Sequence, residues 1–513
     1  MNTMTAWTRR RVLGATLAAA GLASLGSPLA RALAGDRGEG DWSAEFAARL
    51  AADPTLLGWK GVSADRLAGS ARIEGRLPAG LAGTLFRNGP AVHERFGLRY
   101  RHWFDGDGMI QAFRIRDGKI AHRGRVLQTP KLSGEDAANR RIFPGFATVV
   151  GNEARVRGPD DLNTANTSVL EHHGELLALW EGGSASLFER ETLAWQGFKS
   201  WGDGLEGVPF TAHPKVEPDG TLWAFGVSYL PAMGLVLYHI APDGTLVEAG
   251  LIRVADMGMV HDFVVTERHL VFVIPPLVFE PEAARDGAFL DAFGWRPELG
   301  SRVLVVAKDD FGKRRWLQLP AGFGFHHGNG WEEADGTIRF DHCAAADPTL
   351  VTERFRHIMR GEVRAAAPER YTRFTARPDG RVDVEETSDW AEFPRIAPAR
   401  TGRRNRYVYT LGAPDNRHAA ALRRVERRDL ERGTVDAFDF GPGVIPEEHV
   451  FVPRRAAARS EDDGWLVGTF LDHVRGVSGI AVFDARRIGD GPVARGWLDY
   501  PLPLGFHGHF SPA

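Results

Sequence analysis

The feature that most constrains the fold is a series of short β-prone runs separated by Asp-Gly pairs. Asp-Gly between such runs is a strong hairpin signal, because both residues tolerate the positive φ angles of a two-residue turn. The pattern therefore predicts many antiparallel strand pairs joined by tight turns. The pairs lie at Asp117-Gly118, Asp219-Gly220, Asp243-Gly244, Asp335-Gly336, Asp379-Gly380 and Asp463-Gly464.

The runs between these turns predict an all-β fold. Helical patterns are few: one covers Ala44–Ala52, and the stretch Ala419–Asp429 is also compatible with a helix. Radial repetition in a β-propeller would protect many strand edges, but the weak sequence repeat does not separate a propeller from a double sandwich. The clearest strand predictions are Thr221–Ser228, Leu270–Ile274, Arg302–Ala307, Arg406–Thr410 and Gly479–Phe483.

Length and composition exclude several classes of protein. The 513 residues include 43% apolar side chains, enough for a large core, and all-β folds often use such a length as one domain. A net charge of −3 supplies no basic excess for a general nucleic-acid-binding protein. The single cysteine, Cys343, excludes a disulfide framework and a cysteine-based metal site within one chain.

The N-terminus has the pattern of an export signal. Arg9 and Arg10 precede a mild apolar run from Gly14 to Leu25, and Ala32-Leu33-Ala34 offers a small-residue cleavage site. That run is shorter than the roughly 20 apolar residues of a transmembrane helix. We expect residues 1–34 to be a twin-arginine signal peptide and residues 35–513 to form one periplasmic domain; an uncleaved anchor is the alternative.

Four histidines in distinctive local settings are candidate metal ligands. A lone histidine is more often a core or surface residue, but neutral imidazole is a good ligand for iron, zinc, copper or nickel. Their separations of 48, 65 and 181 residues exclude a single helix or hairpin as the source of all four. They are His213 before Pro214, His261 before Asp262, His326 within Phe-His-His-Gly-Asn, and His507 within Phe-His-Gly.

Three glutamates in apolar or Pro/Gly-rich settings are candidate partners for these imidazoles. Glu181 follows Leu-Ala-Leu-Trp, Glu392 precedes Phe-Pro, and Glu448 follows Pro-Glu. A histidine that binds a metal usually donates its other ring N–H to a carboxylate. The alternative is a surface carboxylate, or a salt bridge to an arginine such as Arg395 or Arg454.

These segments also resemble a known family, the carotenoid cleavage oxygenases. The family includes apocarotenoid and lignostilbene dioxygenases and the retinal pigment epithelium isomerase, and the chain is identified as a bacterial member. No single motif is decisive, but their order along the chain matches the family. The resemblance begins at Gly83-Thr-Leu-Phe-Arg-Asn-Gly-Pro90, includes His102-Trp-Phe-Asp-Gly-Asp-Gly-Met109 and Leu177-Ala-Leu-Trp-Glu-Gly-Gly183, and ends at Phe510.

The resemblance implies a seven-bladed β-propeller with a cap of helices and loops over one face. It implies that His213, His261, His326 and His507 hold one catalytic Fe(II), whereas affinity alone would favour copper or zinc. The same likeness selects His326 over His327 and His507 over His509. It pairs Glu181 with His261, Glu392 with His326 and Glu448 with His507, and leaves His213 without a carboxylate.

The implied reaction is oxidative cleavage of a conjugated C=C bond by O2 to give two carbonyl products. The alkene supplies the electrons, which agrees with the lack of a strand–GxGxxG–helix nucleotide motif. Trp180, Phe325 and Phe393 flank the predicted ligands and partners, and matching family positions line the substrate tunnel. Strand alternation argues instead for plain core packing of these aromatics.

Carotenoids or apocarotenoids are the favoured substrates, with lignostilbenes as the alternative. Lignostilbene-type members use a Tyr and a Lys to engage the phenol, for which Tyr100 and Lys131 are the candidates. An apolar tunnel mouth could contact a membrane peripherally. Two segments could form the apolar tunnel mouth. One is Leu230–Leu237, whose pattern is also typical of an interior strand, and the other is Ile274–Phe279, whose pattern predicts a loop.

Three other functions compete with this interpretation. A propeller can serve only as a binding surface, because fold does not dictate function. An isomerase could act on a polyene at the same metal without O2. A periplasmic hydrolase is disfavoured because no Gly-x-Ser-x-Gly nucleophile motif is present.

Overall fold

The computed structural model describes residues 41–150, 154–283, 287–414, 422–454 and 460–513. The predicted signal peptide, residues 1–34, lies outside the described residues. So does the start of the helix predicted for Ala419–Asp429.

The described chain consists mainly of strands. Their bounds, in chain order, are β1 Arg66–Ser70, β2 Arg72–Gly75, β3 Gly83–Val92, β4 Glu94–Arg95, β5 Leu98–Arg99, β6 Asp107–Arg116, β7 Lys119–Val126, β8 Ser168–His172, β9 Glu175–Leu179, β10 Ser186–Phe188, β11 Trp195–Phe198, β12 Lys215–Val216, β13 Leu222–Ser228, β14 Gly234–Ile240, β15 Leu246–Arg253, β16 Val264–Val265, β17 His269–Ile274, β18 Leu277–Phe279, β19 Phe293–Trp295, β20 Ser301–Ala307, β21 Asp310–Leu319, β22 Gly330–Glu332, β23 Ile338–Ala344, β24 Arg370–Ala376, β25 Val382–Arg395, β26 Tyr407–Ala413, β27 Arg424–Asp429, β28 Thr434–Asp439, β29 Val444–Pro453, β30 Gly464–Asp472, β31 Val477–Asp484, β32 Ala494–Trp497 and β33 Gly508–Pro512.

Helical segments are short. The α-helices are α1 Trp42–Ala52, α2 Pro130–Ala138 and α3 Phe355–His357; α3 continues a π-helical turn, Leu350–Arg354. Single 3₁₀ segments cover Pro54–Trp59, Trp103–Asp105, Pro159–Leu162, Phe289–Ala292, Pro297–Leu299, Ile358–Arg360, Pro398–Arg400 and Ile488–Asp490.

The prediction of Asp-Gly hairpins is confirmed at five of the six pairs. Each of the five joins two antiparallel neighbours, such as β6 and β7 around Asp117-Gly118, whose φ angles are 51° and 71°. The other four join β12 to β13, β14 to β15, β22 to β23 and β24 to β25. Asp463-Gly464 differs, because Gly464 is the first residue of β30.

The strands assemble into antiparallel sheets whose order is mostly sequential. Three four-stranded sheets hold β8–β11, β12–β15, and β16, β17, β20 and β21. A seven-stranded sheet runs from β22 to β28, and its 14-residue strand β25 changes register between Glu392 and Arg395. Two five-stranded sheets join the chain ends: β33 pairs with β3, and β2 pairs with β32.

The core lies between neighbouring sheets. Phe225 on β13 packs against Phe272 on β17 with ring centroids 5.4 Å apart, and Phe263 stacks on Phe272 at 5.3 Å. All three are buried. Strands that are buried on both faces have nearly continuous apolar sequences, as at Leu270–Ile274.

An apolar cluster joins helix α1 to other helical segments. Helix α1 starts at Asp41, whose side chain accepts from the backbone N–H groups of Ser43 and Ala44, and it buries Trp42 and Phe46. The prediction of a helix at Ala44–Ala52 is thus confirmed. Residues Leu56, Trp59, Trp103, Ile358 and Phe506 complete this apolar cluster.

The structure corrects two sequence-based predictions. Where a helix was predicted within Ala419–Asp429, residues Arg424–Asp429 form strand β27, because they pair on both sides with β26 and β28. The segment Ile274–Phe279 was predicted to be an exposed loop. It is buried instead, since Leu277–Phe279 form a strand paired with Phe293–Trp295.

The other apolar segment is divided. Gly234–Leu237 belong to strand β14, whereas Leu230–Met233 precede it and Pro231 is exposed. Within the described ranges, no helix has the length and apolar character needed to span a bilayer.

Candidate metal centre

The four candidate ligands come from irregular segments between strands of different sheets. His213 precedes β12, His261 precedes β16, His326 precedes β22 and His507 precedes β33. Backbone hydrogen bonds hold these segments: Cys343 N–H donates to the His326 carbonyl at 2.9 Å, and His507 N–H donates to the Thr167 carbonyl at 3.3 Å. Segments outside the strand ladders are free of strict side-chain alternation.

The structure brings these four side chains together. One ring nitrogen from each of His213, His261, His326 and His507 lies within 4.8 Å of the others. Their ring centroids are 4.4 Å apart for His213 and His507, and 5.2 Å apart for His261 and His326. The chain therefore gathers four imidazoles separated by up to 294 residues in sequence (507 − 213).

Three of the imidazoles contact the glutamates that the sequence paired with them. His261 Nδ1 lies 2.5 Å from Glu181 Oε2, His326 Nδ1 lies 2.7 Å from Glu392 Oε2, and His507 Nδ1 lies 2.8 Å from Glu448 Oε1. Among the described residues no carboxylate contacts His213.

These contacts determine where the lone pairs point. A carboxyl group in its ionised form only accepts, so each of these three Nδ1 atoms carries the hydrogen, and each Nε2 the lone pair, when its glutamate is ionised. His213 Nε2 and His261 Nε2 face each other at 2.8 Å, and His326 Nε2 is buried without a hydrogen-bond partner. Buried imidazole nitrogens that converge in this way fit the donor set of a divalent transition-metal ion.

Burial favours the neutral imidazole that a metal requires. It lowers the pKa of His326 and of His507 to about 3, and it lowers the pKa of His213 further with help from the neighbouring rings. His261 differs: burial opposes its charge, but Glu181 raises its pKa above the usual value.

The three carboxyl groups differ in environment. Burial would raise the pKa of Glu448, but Arg395 and His507 hold it well below the usual value. Arg395 makes two 2.8 Å contacts with this carboxylate. Burial raises the pKa of Glu392 to about 8. Arg395 is thus a salt-bridge partner, as considered from sequence, while Glu448 also contacts a candidate ligand.

The neighbouring residues that the sequence set aside have other partners. His327 Nδ1 donates to the Asp341 carbonyl at 2.7 Å, and its ring stacks on His342 at 4.1 Å. His509 Nε2 lies 3.8 Å from Glu171. Glu447 accepts from Arg87 at 2.7 Å and not from a ligand.

A cavity of about 970 Å³ is lined by three of the four histidines, His261, His326 and His507. Trp180, Phe325 and Phe393 line it. Phe325 meets His261 edge-on at 5.2 Å, and Phe393 stacks on His326 at 5.3 Å. The alternation argument against these aromatics does not apply, because Trp180 follows β9, Phe325 lies between strands and Phe393 has a φ of 53° at the β25 bulge.

Tyr100 and Lys131 are together but lie outside this cavity. Lys131 Nζ contacts Tyr100 Oη and Asp107 Oδ1, each at 2.8 Å. Both side chains are about 1% exposed and neither lines the cavity. Their proposed contact with a substrate phenol is therefore wrong, because the ammonium group already has partners inside the protein.

The family model described as retinal pigment epithelial membrane protein matches residues 64–512. The chain belongs to the retinal pigment epithelial membrane protein family.

Curated members of this family extend the comparison over most of the chain. The carotenoid 9,10(9′,10′)-cleavage dioxygenase 1 of Phaseolus vulgaris is 32% identical over 471 residues, covering 85% of both chains. The lignostilbene-α,β-dioxygenase isozyme III of Sphingomonas paucimobilis is 30% identical, covering 86% of this chain and 93% of its own. A cobalt-substituted Synechocystis apocarotenoid oxygenase superposes with a TM-score of 0.82 at 28% identity, covering 90% and 99%.

The sequence did not predict most of the residues that line the cavity of this family member. Phe104, Tyr229, Met259 and Phe355 line the cavity but come from four distant segments. None stands next to a candidate ligand, so no local signal distinguishes it from other buried aromatic or apolar residues. Only the fold brings these positions together.

Proposed function

We propose that this protein is a non-haem Fe(II) dioxygenase that cleaves a conjugated C=C bond of a carotenoid or apocarotenoid with O2. The observation that carries the proposal is the convergence of four imidazoles, three of them held by carboxylates, beside a large apolar cavity. Relatives named as carotenoid and apocarotenoid oxygenases support the reaction type.

His213, His261, His326 and His507 would hold one Fe(2+) per chain. When bound, the ion supplies the means to activate O2 next to the alkene. Catalytic zinc usually has three protein ligands and an open fourth position, so a four-histidine set suits a metal with more coordination positions. The cobalt-substituted relative superposes on this chain, which supports a divalent transition metal.

The protein's own groups position the substrate and keep out water. Phe325 and Phe393 would pack against the flat polyene beside His261 and His326, since aromatic faces favour offset or edge-on contacts with π systems. In the overall reaction one C=C bond breaks and two C=O bonds form. Both oxygen atoms of O2 enter the products, so no external reductant is needed.

The cavity favours a polyene over a lignostilbene. The candidate phenol-binding residues Tyr100 and Lys131 are sealed in the interior, and the cavity is lined mainly by apolar side chains. The lignostilbene dioxygenase relative keeps stilbenes as the second candidate substrate class. An isomerase that acts without O2 is the third candidate.

Isotope labelling tests the reaction. The iron-loaded protein, given an all-trans apocarotenal and ¹⁸O2, should form two carbonyl products and consume one O2 per alkene. Label should enter both new carbonyl groups when exchange with water is suppressed. Label in one product would indicate monooxygenation, turnover without O2 would indicate isomerisation, and cleavage restricted to hydroxystilbenes would overturn the substrate.

We also propose that the sheets close into a seven-bladed propeller. Five sheets of four or five strands, plus a seven-stranded sheet that the long strand β25 could divide into two, supply seven units. The pairing of β33 with β3 and of β2 with β32 would join the chain ends. A crystal structure without a ring of seven sheets would overturn this arrangement.

The rim of the cavity suggests peripheral contact with a membrane. Phe289 lines the cavity and is 38% exposed, and Pro231, which is also exposed, lines the same cavity. We expect co-sedimentation with phosphatidylcholine vesicles that weakens when Phe289 is changed to Ser. Equal sedimentation of both proteins would contradict this contact.

Export to the periplasm is a proposal from the sequence. Removal of residues 1–34 would leave residues 35–513 as one domain. The twin-arginine pair is recognised by a receptor, so Arg9→Lys with Arg10→Lys should leave the uncleaved precursor in the cytoplasm. Recovery of the double variant from the periplasm would contradict export by the twin-arginine route.

A further inference from the structure

One carboxyl group on the cavity wall differs from the others. Glu369 Oε1 is buried without a protein hydrogen-bond partner, and no other carboxylate oxygen among the described residues shares that state. By contrast, the cavity-lining Asp160 accepts from the N–H and the hydroxyl of Ser184, both at 2.8 Å. The unpartnered oxygen therefore distinguishes Glu369 from the other buried carboxyl groups among the described residues.

Glu369 lies beside the metal centre but is not part of it. It directly precedes β24, and its backbone carbonyl accepts from Ala391 N–H at 3.1 Å. Its carboxyl group accepts from the backbone N–H of Phe325, the residue before His326. Arg354, from the helical turn Leu350–Arg354, also lines the cavity and its charge acts on Glu369.

The surroundings make this carboxyl group costly to leave unpaired. The apolar residues Leu350, Phe355 and Trp390 line the same cavity. A buried acceptor without a donor bears the full cost of its lost hydration. A hydroxyl group on a bound molecule would relieve that cost, because a hydroxyl both donates and accepts.

We propose that Glu369, next to Arg354, selects substrates that carry a hydroxyl group on an end of the conjugated chain. This inference rests on the proposed function, since it assumes that the substrate occupies the same cavity. Burial, together with the nearby Glu392, raises the pKa of Glu369 well above its usual value. Either protonation state of the carboxyl group can bond to a hydroxyl.

Binding to the metal-free protein tests this selection without turnover. Trp103, Trp180 and Trp390 line the cavity, so polyene binding should quench tryptophan fluorescence. The probes are two apocarotenals that differ only in a ring hydroxyl. Wild-type protein should bind the hydroxylated probe about tenfold more tightly, as expected for a hydrogen bond to a buried polar or charged group.

Variants assign the preference to Glu369. Glu369→Leu should reduce the preference to about one, mainly by weakening binding of the hydroxylated probe. Glu369→Gln keeps an acceptor for Phe325 N–H and should retain a clear preference. Glu206→Gln is the control, because Glu206 lines the cavity and both of its carboxylate oxygens have donors, Gly204 N–H at 2.9 Å and the Ser200 hydroxyl at 3.4 Å.

The outcomes separate this inference from the proposed function. Equal binding of both probes by wild-type protein would overturn the inference, and so would an unchanged preference in Glu369→Leu. A tenfold preference that disappears in Glu369→Leu supports it, even if the iron-loaded protein cleaves neither probe. Failure of cleavage alone would count against the dioxygenase proposal only.

Discussion

Two of the buried polar clusters among the described residues differ in whether all their polar atoms have partners inside the protein. In the first, Lys131 bonds to Tyr100 and Asp107, and Glu135 accepts from Arg95 at 2.6 Å. In the second, His213, His261, His326 and His507 direct ring nitrogens at one another. Both clusters are buried, so burial alone does not identify a site.

The difference lies in the unused hydrogen-bonding capacity. The cationic and anionic groups of the Lys131 cluster neutralise each other, and Asp107 raises the pKa of Lys131 despite its burial. In the histidine cluster carboxylates hold the outer nitrogens of three of the four rings, while His326 Nε2 has no partner inside the protein. A buried group with unmet capacity indicates a ligand, whereas a satisfied group indicates structural support.

The largest expected effect tests the histidine cluster directly. His326→Ala should abolish both stoichiometric iron binding and alkene cleavage, because it removes one of four donor nitrogens. His327→Ala is the matched control, since its Nδ1 contacts the Asp341 carbonyl instead. Iron is measured by mass spectrometry after reconstitution. Iron lost from His327→Ala but kept in His326→Ala would reverse the ligand assignment.

The second prediction concerns the Lys131 cluster, whose charged groups pair with one another. Lys131→Met should lower the free energy of unfolding by about 3–5 kcal/mol, because Asp107 loses its buried partner. The iron content of the folded protein should remain about one per chain. Lys199→Met is the control, since the partly exposed pair Lys199–Glu175 should contribute less than about 1 kcal/mol.

Urea unfolding followed by fluorescence measures this difference. An iron content that falls in Lys131→Met, with the fold retained, would contradict the division between the two clusters. Equal destabilisation by Lys131→Met and Lys199→Met would show that the buried network contributes no more than a surface pair.

Sequence patterns predicted the strands and hairpins, because turn chemistry and apolar runs are local. The ligand set came from the family resemblance, since no local signal distinguishes His326 from His327. The predicted contact of Tyr100 and Lys131 with a substrate phenol was wrong, because the sequence does not show that the Lys131 ammonium group is already paired with Asp107. The placement of Phe393 was also hidden, because the bulge in β25 depends on pairing with β26.

The third prediction ranks the carboxylates that hold the imidazoles. Glu448→Gln should weaken iron binding or activity by about 10–100-fold, near the upper end of that range. Its carboxylate is buried and bonds both His507 and Arg395, so the substitution also leaves Arg395 without its anionic partner. Iron affinity is measured by competition with a chelator. Wild-type iron affinity in Glu448→Gln would show that Glu448 forms only a structural salt bridge.

The smallest expected effect belongs to Glu181. Its side chain is 37% exposed toward the cavity, against 6% for Glu392 and 2% for Glu448. Water can therefore take over part of its bond to His261, and an amide oxygen can still accept from Nδ1. We expect Glu181→Gln to cost about tenfold, the lower end of the usual range. The loss of iron binding or activity should fall in the order Glu448, Glu392, Glu181, from the most buried carboxyl group to the least buried. A larger loss in Glu181→Gln than in Glu448→Gln would show that exposure does not control these contacts.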